Sequence, residues 1–104
     1  MCGISLISGK NIKHEKIIQS LINKIKHRGP DDEGYFFEKD LEIGSCRLSI
    51  FDLSLNGHMP MEDNSKRYII SFNGEIYNFR ELKEQFNIHT KSNSDTEVLI
   101  ELYA

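Results

Sequence analysis

Hydrophobic residues recur in two rhythms along this 104-residue chain, and each change of rhythm marks an element. Cys2 to Ile7 is a short apolar run (Ile4, Leu6, Ile7) closed by Ser8-Gly9, which predicts a strand. Between His14 and Lys26, Ile17, Ile18, Leu21, Ile22 and Ile25 return at three- and four-residue steps with lysines opposite, which predicts an amphipathic helix. That helix ends at His27-Arg28-Gly29-Pro30, because glycine and the residue before proline both leave the helical region. Gly34 to Lys39 and Leu41 to Phe51 read as strands joined by a tight turn at Lys39-Asp40. A polar loop covers Asn56 to Pro60, and a β-rich run from Arg67 to Phe72 ends on the turn pair Asn73-Gly74. Two short helices follow. Asn78 with Glu81 precedes Leu82 and Phe86, and Ser94 with Glu97 precedes Val98, Leu99, Leu102 and Tyr103, each spacing resembling a capping box. The pattern is that of an α+β fold, mainly antiparallel strands with flanking helices. The last helix reaches Ala104 without a glycine or asparagine cap, a basic last turn or a following proline, so the element is expected to be cut and the chain to be a fragment.

Composition narrows the function classes. The length suits one compact domain. Thirteen Lys and Arg against sixteen Asp and Glu give a net charge of −3, which argues against a general nucleic-acid binder. No apolar run approaches the roughly 20 residues of a membrane helix, and the N-terminus lacks the basic region and cleavage site of a signal peptide. A cytoplasmic protein with no membrane or nucleic-acid partner is therefore expected. Cys2, Cys46 and the four histidines are scattered, so no zinc site is expected, and in a reducing compartment both thiols stay free. Cys2 follows Met1 directly, and a small second residue permits removal of the initiator, which would leave Cys2 as the N-terminus.

Four features then suggest chemistry. An N-terminal cysteine joins a nucleophilic thiol to an α-amine that is partly neutral near physiological pH, so one residue can supply both nucleophile and base. An asparagine amide and a glycine N–H at Asn73-Gly74 can donate to a developing oxyanion. The guanidinium of Arg47, on an otherwise apolar strand, can grip a carboxylate bidentately. Asp95, in the first turn of the last helix, stays ionised there and can hold an ammonium. Each has a plainer explanation: a small buried cysteine, a simple turn, a solvent-facing or locally paired arginine, a helix-start acid. Together they describe a site for an α-amino acid with an amide side chain, which is glutamine chemistry.

The motifs carrying these residues occur in a fixed order. They are Met1-Cys2-Gly3-Ile4, His27-Arg28-Gly29-Pro30-Asp31 with Gly34, Arg47-Leu48-Ser49-Ile50 with Asp52, Gly57-His58-Met59-Pro60-Met61, Asn73-Gly74-Glu75-Ile76-Tyr77-Asn78, and Ser94-Asp95-Thr96-Glu97. From residue 1 to 104 the chain resembles the N-terminal glutamine amidotransferase domain, class II and Ntn-hydrolase type, of glutamine-dependent asparagine synthetases. The resemblance implies that Cys2 attacks the glutamine amide and forms a glutamyl thioester, which water releases as glutamate after ammonia has left. It implies an oxyanion hole at Asn73 and Gly74, a carboxylate clamp at Arg47, and contacts from Glu75 and Asp95 to the substrate amine. Backbone from Arg47 through Leu48, Ser49 and Ile50 to Phe51 would line the pocket, and His27 to Asp31 would shape it without a catalytic step.

The chain departs from the family pattern at Met59, where members often carry glutamine, and at Ser45, where they often carry histidine. The family's domain is roughly twice this length, a four-layer αββα sandwich of two stacked antiparallel sheets, so residues 1–104 would be its N-terminal part. No synthetase domain with its pyrophosphate loop is expected in the chain, so no cofactor is expected either; ATP and Mg would belong to that absent domain. L-glutamine is the expected partner. The other reading is a non-catalytic glutamine-binding or interaction fragment, whose uncovered apolar sheet face would favour a homo-oligomer or a partner.

Overall fold

The structure, a computed structural model, describes residues 2–10, 15–48 and 57–104. It is an α+β arrangement with antiparallel sheets. Strand β1 (Gly3–Ser8), helix α1 (Glu15–Ile25), β2 (Asp32–Glu38) and β3 (Leu41–Arg47) form the first half, with a 3-10 turn at Lys26–Arg28. A small second sheet, β4 (Met61–Glu62) and β5 (Ile69–Ile70), precedes helices α2 (Phe79–Gln85) and α3 (Asp95–Tyr103). The main sheet has the order β1-β3-β2, so β3 is central and pairs antiparallel with both neighbours.

Side chains alternate across that sheet, and the alternation sets the layers. Gly44 of β3 faces α1: a Cβ there would lie 2.6 Å from Ile22 Cγ1, so the missing side chain lets the helix settle directly on the strand. Ile18 and Ile22 are fully buried at this contact, each stabilising the fold by about 1.5–3 kcal/mol. The apolar stripe of α1 is narrower than its periodicity suggests, since Ile17 is exposed and Leu21 and Ile25 are only half-buried. Ser45 points to the opposite face, where its hydroxyl lies 2.6 Å from that of Ser71, just beyond β5. The small sheet therefore sits on the side of β3 away from α1, and α3 packs on β5 and α2. Helix, sheet, small sheet and helices stack in the order expected of part of a sandwich.

Several boundaries differ from those read in the sequence. The run from Arg67 to Phe72 yields only Ile69–Ile70 as strand, because Asp63 organises the chain before it as a closed loop. The third strand ends at Arg47 and Leu48 is irregular; His14, Asn56 and the stretch 49–55 lie outside the described residues. Neither capping box forms as drawn. The Asn78 side chain makes no cap hydrogen bond, and α2 begins with Phe79 N–H donating to the Ile76 carbonyl at 3.2 Å. Ser94 does cap α3 through Thr96 N–H, but Glu97 turns away to accept from Lys91 N–H and Ser92 N–H, both at 2.8 Å, and from the Ser92 hydroxyl. In α3 the buried apolar residues are Val98 and Ile100, while Leu102 and Tyr103 are exposed, Tyr103 meeting Tyr68 edge-on at 5.0 Å. Among the described residues no helix is long and apolar enough to cross a membrane.

Asp63 gives the fold a pH dependence. Its carboxylate is buried and accepts from the Ser65 hydroxyl, Ser65 N–H, Arg67 N–H and Tyr68 N–H. The Ser65 hydroxyl first, then these backbone donors, lower its pKa from 3.8 to about 2. Because the folded pKa lies below the unfolded one, the contribution is complete above about pH 4 and is lost as pH falls toward 2. The thermal midpoint should drop across that window, and Asp63→Asn should be less stable at neutral pH with a shallower drop. Equal slopes in both proteins would remove Asp63 as the cause.

Candidate active site

The register of β1 on β3 decides where Cys2 goes. Gly3 pairs with Cys46, so the residue before it arrives at the end of β3. There the Cys2 sulfur lies 3.9 Å from the Leu48 carbonyl, a long S–H donor contact, and the Cys2 carbonyl accepts from Arg28 Nε at 3.2 Å. Cys2 is partly exposed, whereas Cys46 is buried and donates its thiol to the Ile25 carbonyl at 3.3 Å. The two cysteines are thus in different situations, one open to a reactant and one packed under α1.

Arg47 closes β3 and is only 7% exposed. Two loops bury it. From one side, Asp31 N–H donates to the Arg47 carbonyl at 3.0 Å and Pro30 forms a bridge to the same residue. From the other, the backbone of Gly57 lies against the guanidinium, so closely that a Cβ would run into Nη2 and stand 2.7 Å from Cζ. Gly29 is equally confined, since its Cβ would lie 2.5 Å from the Arg47 nitrogen and 2.6 Å from the Cys46 carbonyl oxygen. Backbone atoms on both sides leave no room to relax. Gly29→Ala should destabilise the fold by about 1–3 kcal/mol in denaturant unfolding. An unchanged midpoint would show that this loop does not seat on β3.

The remaining candidates form a second group. Asn73 and Gly74 are exposed, just after Phe72, whose N–H donates to Met59 Sδ at 3.4 Å. Glu75 is half-buried and accepts from the Tyr77 hydroxyl, a bond that with the carboxylate's charge raises the Tyr77 pKa. Asp95 opens α3 and is 6% exposed. Its Oδ2 accepts from Ile76 N–H at 2.8 Å and its Oδ1 from Thr96 N–H at 2.9 Å. Asp95 therefore fixes the backbone just after Glu75, and each of its oxygens retains acceptor capacity for a further donor.

Cys2, Arg47 and Leu48 thus lie at one strand end, while Asp95 anchors the backbone at Ile76, next to Glu75 and two residues after Asn73-Gly74. Ser49, Ile50 and Phe51 lie outside the described residues. What joins the two groups is the loop Gly57-His58-Met59-Pro60, whose Met59-Pro60 peptide is cis. Gly57 touches Arg47, and Met59 holds Phe72. Sequence reading quoted this loop without giving it a task; its signal was a glycine ahead of a Met-Pro pair, between the two stretches it connects. Asp32 was missed as well, and His58, quoted within that loop, was given no role; the two are hydrogen-bonded, Nδ1 to Oδ2 at 2.6 Å. A separate cleft of about 390 Å³ lies between α2 and α3, lined by Arg80, Lys83, Thr90 and Val98 among others. It holds none of the residues expected to act, and volume without convergent chemistry does not make it the site.

Comparison with known proteins gives the family of the chain. The family model for the glutamine amidotransferase domain matches residues 1–104. A Methanocaldococcus jannaschii protein bearing the name "Putative asparagine synthetase (glutamine-hydrolyzing) 2" is 45% identical over 99% of this chain and 24% of its own length. Asparagine synthetase (glutamine-hydrolyzing) 1 of Bacillus subtilis is 39% identical over 99% of this chain and 17% of its own length. The Zea mays asparagine synthetase (glutamine-hydrolyzing) is 36% identical, again over 99% of this chain and 18% of its own. The chain spans about a quarter or less of the length of these relatives. With the family model matched from end to end, the chain belongs to the glutamine amidotransferase domain family.

Proposed function

We propose that this chain hydrolyses L-glutamine with Cys2 as nucleophile, as the N-terminal part of an asparagine-synthetase-type amidotransferase. The observation that carries the reading is the partly exposed Cys2 thiol at the same strand end as the buried Arg47. After loss of Met1, the Cys2 amine takes the thiol proton and the sulfur attacks the side-chain amide carbon of glutamine. Collapse of the tetrahedral intermediate breaks the C–N bond, and the amine returns the proton to ammonia as it leaves. Water then adds to the thioester and releases glutamate and the free thiol. Arg47 grips the α-carboxylate, and Glu75 and Asp95 face the α-amine. The Asn73 amide and Gly74 N–H stabilise the oxyanion, a contribution of about 10²–10³ in rate per donor in comparable sites.

This chemistry draws on no cofactor from residues 1–104, since thiol, amine and hydrogen-bond donors carry every step. Use of the ammonia to amidate aspartate, with ATP and Mg, is assigned to a domain beyond these residues, and the parent enzyme is read as cytoplasmic. Incubation with glutamine should yield glutamate and ammonia in equal amounts. Absence of both, from a protein shown to lack Met1, would overturn the reading.

A second reading is favoured by one observation. Ile4 and Leu6 on edge strand β1 are 41% and 58% exposed, an apolar row on the face away from α1. Such a row supports an interaction fragment that binds without turning over. Concentration-dependent sedimentation together with no glutaminase activity would favour it, and an active monomer would exclude it.

A further inference from the structure

The hydrogen bond between His58 and Asp32 has no part in the mechanism above, yet it anchors the loop that joins the two groups of site residues. Asp32 is the first residue of β2, and its Oδ2 lies 2.6 Å from His58 Nδ1. An ionised carboxylate only accepts, so the hydrogen of this bond belongs to the imidazole. Gly34, two residues along β2, gives the loop its seat: a Cβ there would strike the Met59 carbonyl oxygen and His58 Nε2. The loop therefore rests directly on strand backbone. Its next side chain reaches the other way. Met59 is 4% exposed, and its Sδ accepts from Phe72 N–H at 3.4 Å. The Phe72 ring in turn lies against Gly74, where a Cβ would stand 2.8 Å from Cζ. Asp32, His58, Met59 and Phe72 thus form a continuous path of contacts from β2 to Asn73-Gly74.

We propose that His58 is a positioning residue: by tying the loop 57–60 to Asp32 it fixes, through Met59 and Phe72, where the Asn73 amide and the Gly74 N–H stand. This rests on the reading of those two groups as the oxyanion donors. Such donors act on charge that develops only in the transition state, so their placement bears on turnover more than on substrate binding. A shift of about 1 Å in a reacting geometry can cost a hundredfold in rate. Arg47 is carried by β3 itself, so the carboxylate clamp keeps its place when the loop slips. Loss of the His58–Asp32 bond therefore lowers kcat and leaves KM for glutamine nearly unchanged.

The test is steady-state glutamine hydrolysis by the whole chain and its variants. His58→Ala should lower kcat by about 10- to 100-fold with KM within about threefold of the unmodified protein. His58→Asn, whose amide nitrogen can donate from near the place of Nδ1, should keep kcat within about threefold. Asp32→Ala should match His58→Ala, and the double variant should be no worse than either, because one bond is removed in all three. An unchanged kcat in His58→Ala overturns the proposal, as does an effect confined to KM. So does a His58→Asn variant as slow as His58→Ala, or losses that multiply in the double variant. If His58→Ala does not fold by circular dichroism, His58→Leu, larger and unable to donate, replaces it with the same outcomes. Asn73→Ala separates the two levels. If it leaves kcat unchanged, the oxyanion assignment fails and this proposal with it; if it lowers kcat while His58→Ala does not, this proposal alone fails. A chain with no turnover at all removes both.

Discussion

Cys2→Ala should reduce glutamine hydrolysis by on the order of 10⁴-fold or more, the scale seen when a nucleophile is removed from a covalent mechanism. The thiol is both the attacking group and the atom that carries the acyl intermediate, so no neighbour can take over its task. Cys2→Ser should also be severely impaired, since a hydroxyl is a poorer nucleophile than a thiol at neutral pH. Cys46→Ala provides the control. Cys46 is buried beneath α1 with its thiol on the Ile25 carbonyl, so its loss should cost stability and leave turnover in place. Comparable losses from Cys2→Ala and Cys46→Ala, measured as ammonia release from folded proteins, would contradict the assignment of the nucleophile.

Arg47→Lys should raise KM for glutamine by about 10- to 100-fold, the range of one charge-assisted hydrogen bond lost from a buried site. Lysine keeps the charge but replaces a rigid two-pronged fork with a single ammonium, so the α-carboxylate loses one of its two bonds. The effect should fall on KM more than on kcat, because the carboxylate is held alike in the ground and transition states. The side chain is 7% exposed and hemmed in by Gly57, which leaves it little freedom to relocate. An unchanged KM would mean that another group binds the carboxylate, and a purely kcat effect would place Arg47 at the reacting centre instead.

Much of this was legible in the residues themselves, and the failures have identifiable causes. Helix α1 announced itself because five isoleucines and leucines share one stripe, although only Ile18 and Ile22 reach the interior. The hairpin at Lys39-Asp40 was legible as two strands joined by a tight turn, and β2 and β3 pair across it. The strand read from Arg67 to Phe72 shrank to two residues because β propensity cannot register a loop closed by one buried carboxylate. Glu97 was misplaced for a similar reason. Its spacing from Ser94 is that of a capping box, but a carboxylate follows whichever backbone N–H groups the incoming loop presents, here those of Lys91 and Ser92. At the site, Cys2 and Arg47 could be named from chemistry, yet their meeting depends on the pairing of Gly3 with Cys46, which no local pattern encodes. The part played by Gly57 to Pro60 was invisible for the same reason. Its partners Arg47 and Phe72 are ten or more residues away on either side.

The central claim is that Cys2, as the free N-terminus, is the nucleophile of a glutamine site. It is tested most directly by intact-mass analysis before and after incubation with a diazo-ketone analogue of glutamine, followed by peptide mapping. A mass lacking Met1, gaining one adduct that maps to Cys2 and is blocked by excess glutamine, is the expected result. An adduct on Cys46, or no adduct on a chain that lacks Met1, would contradict it.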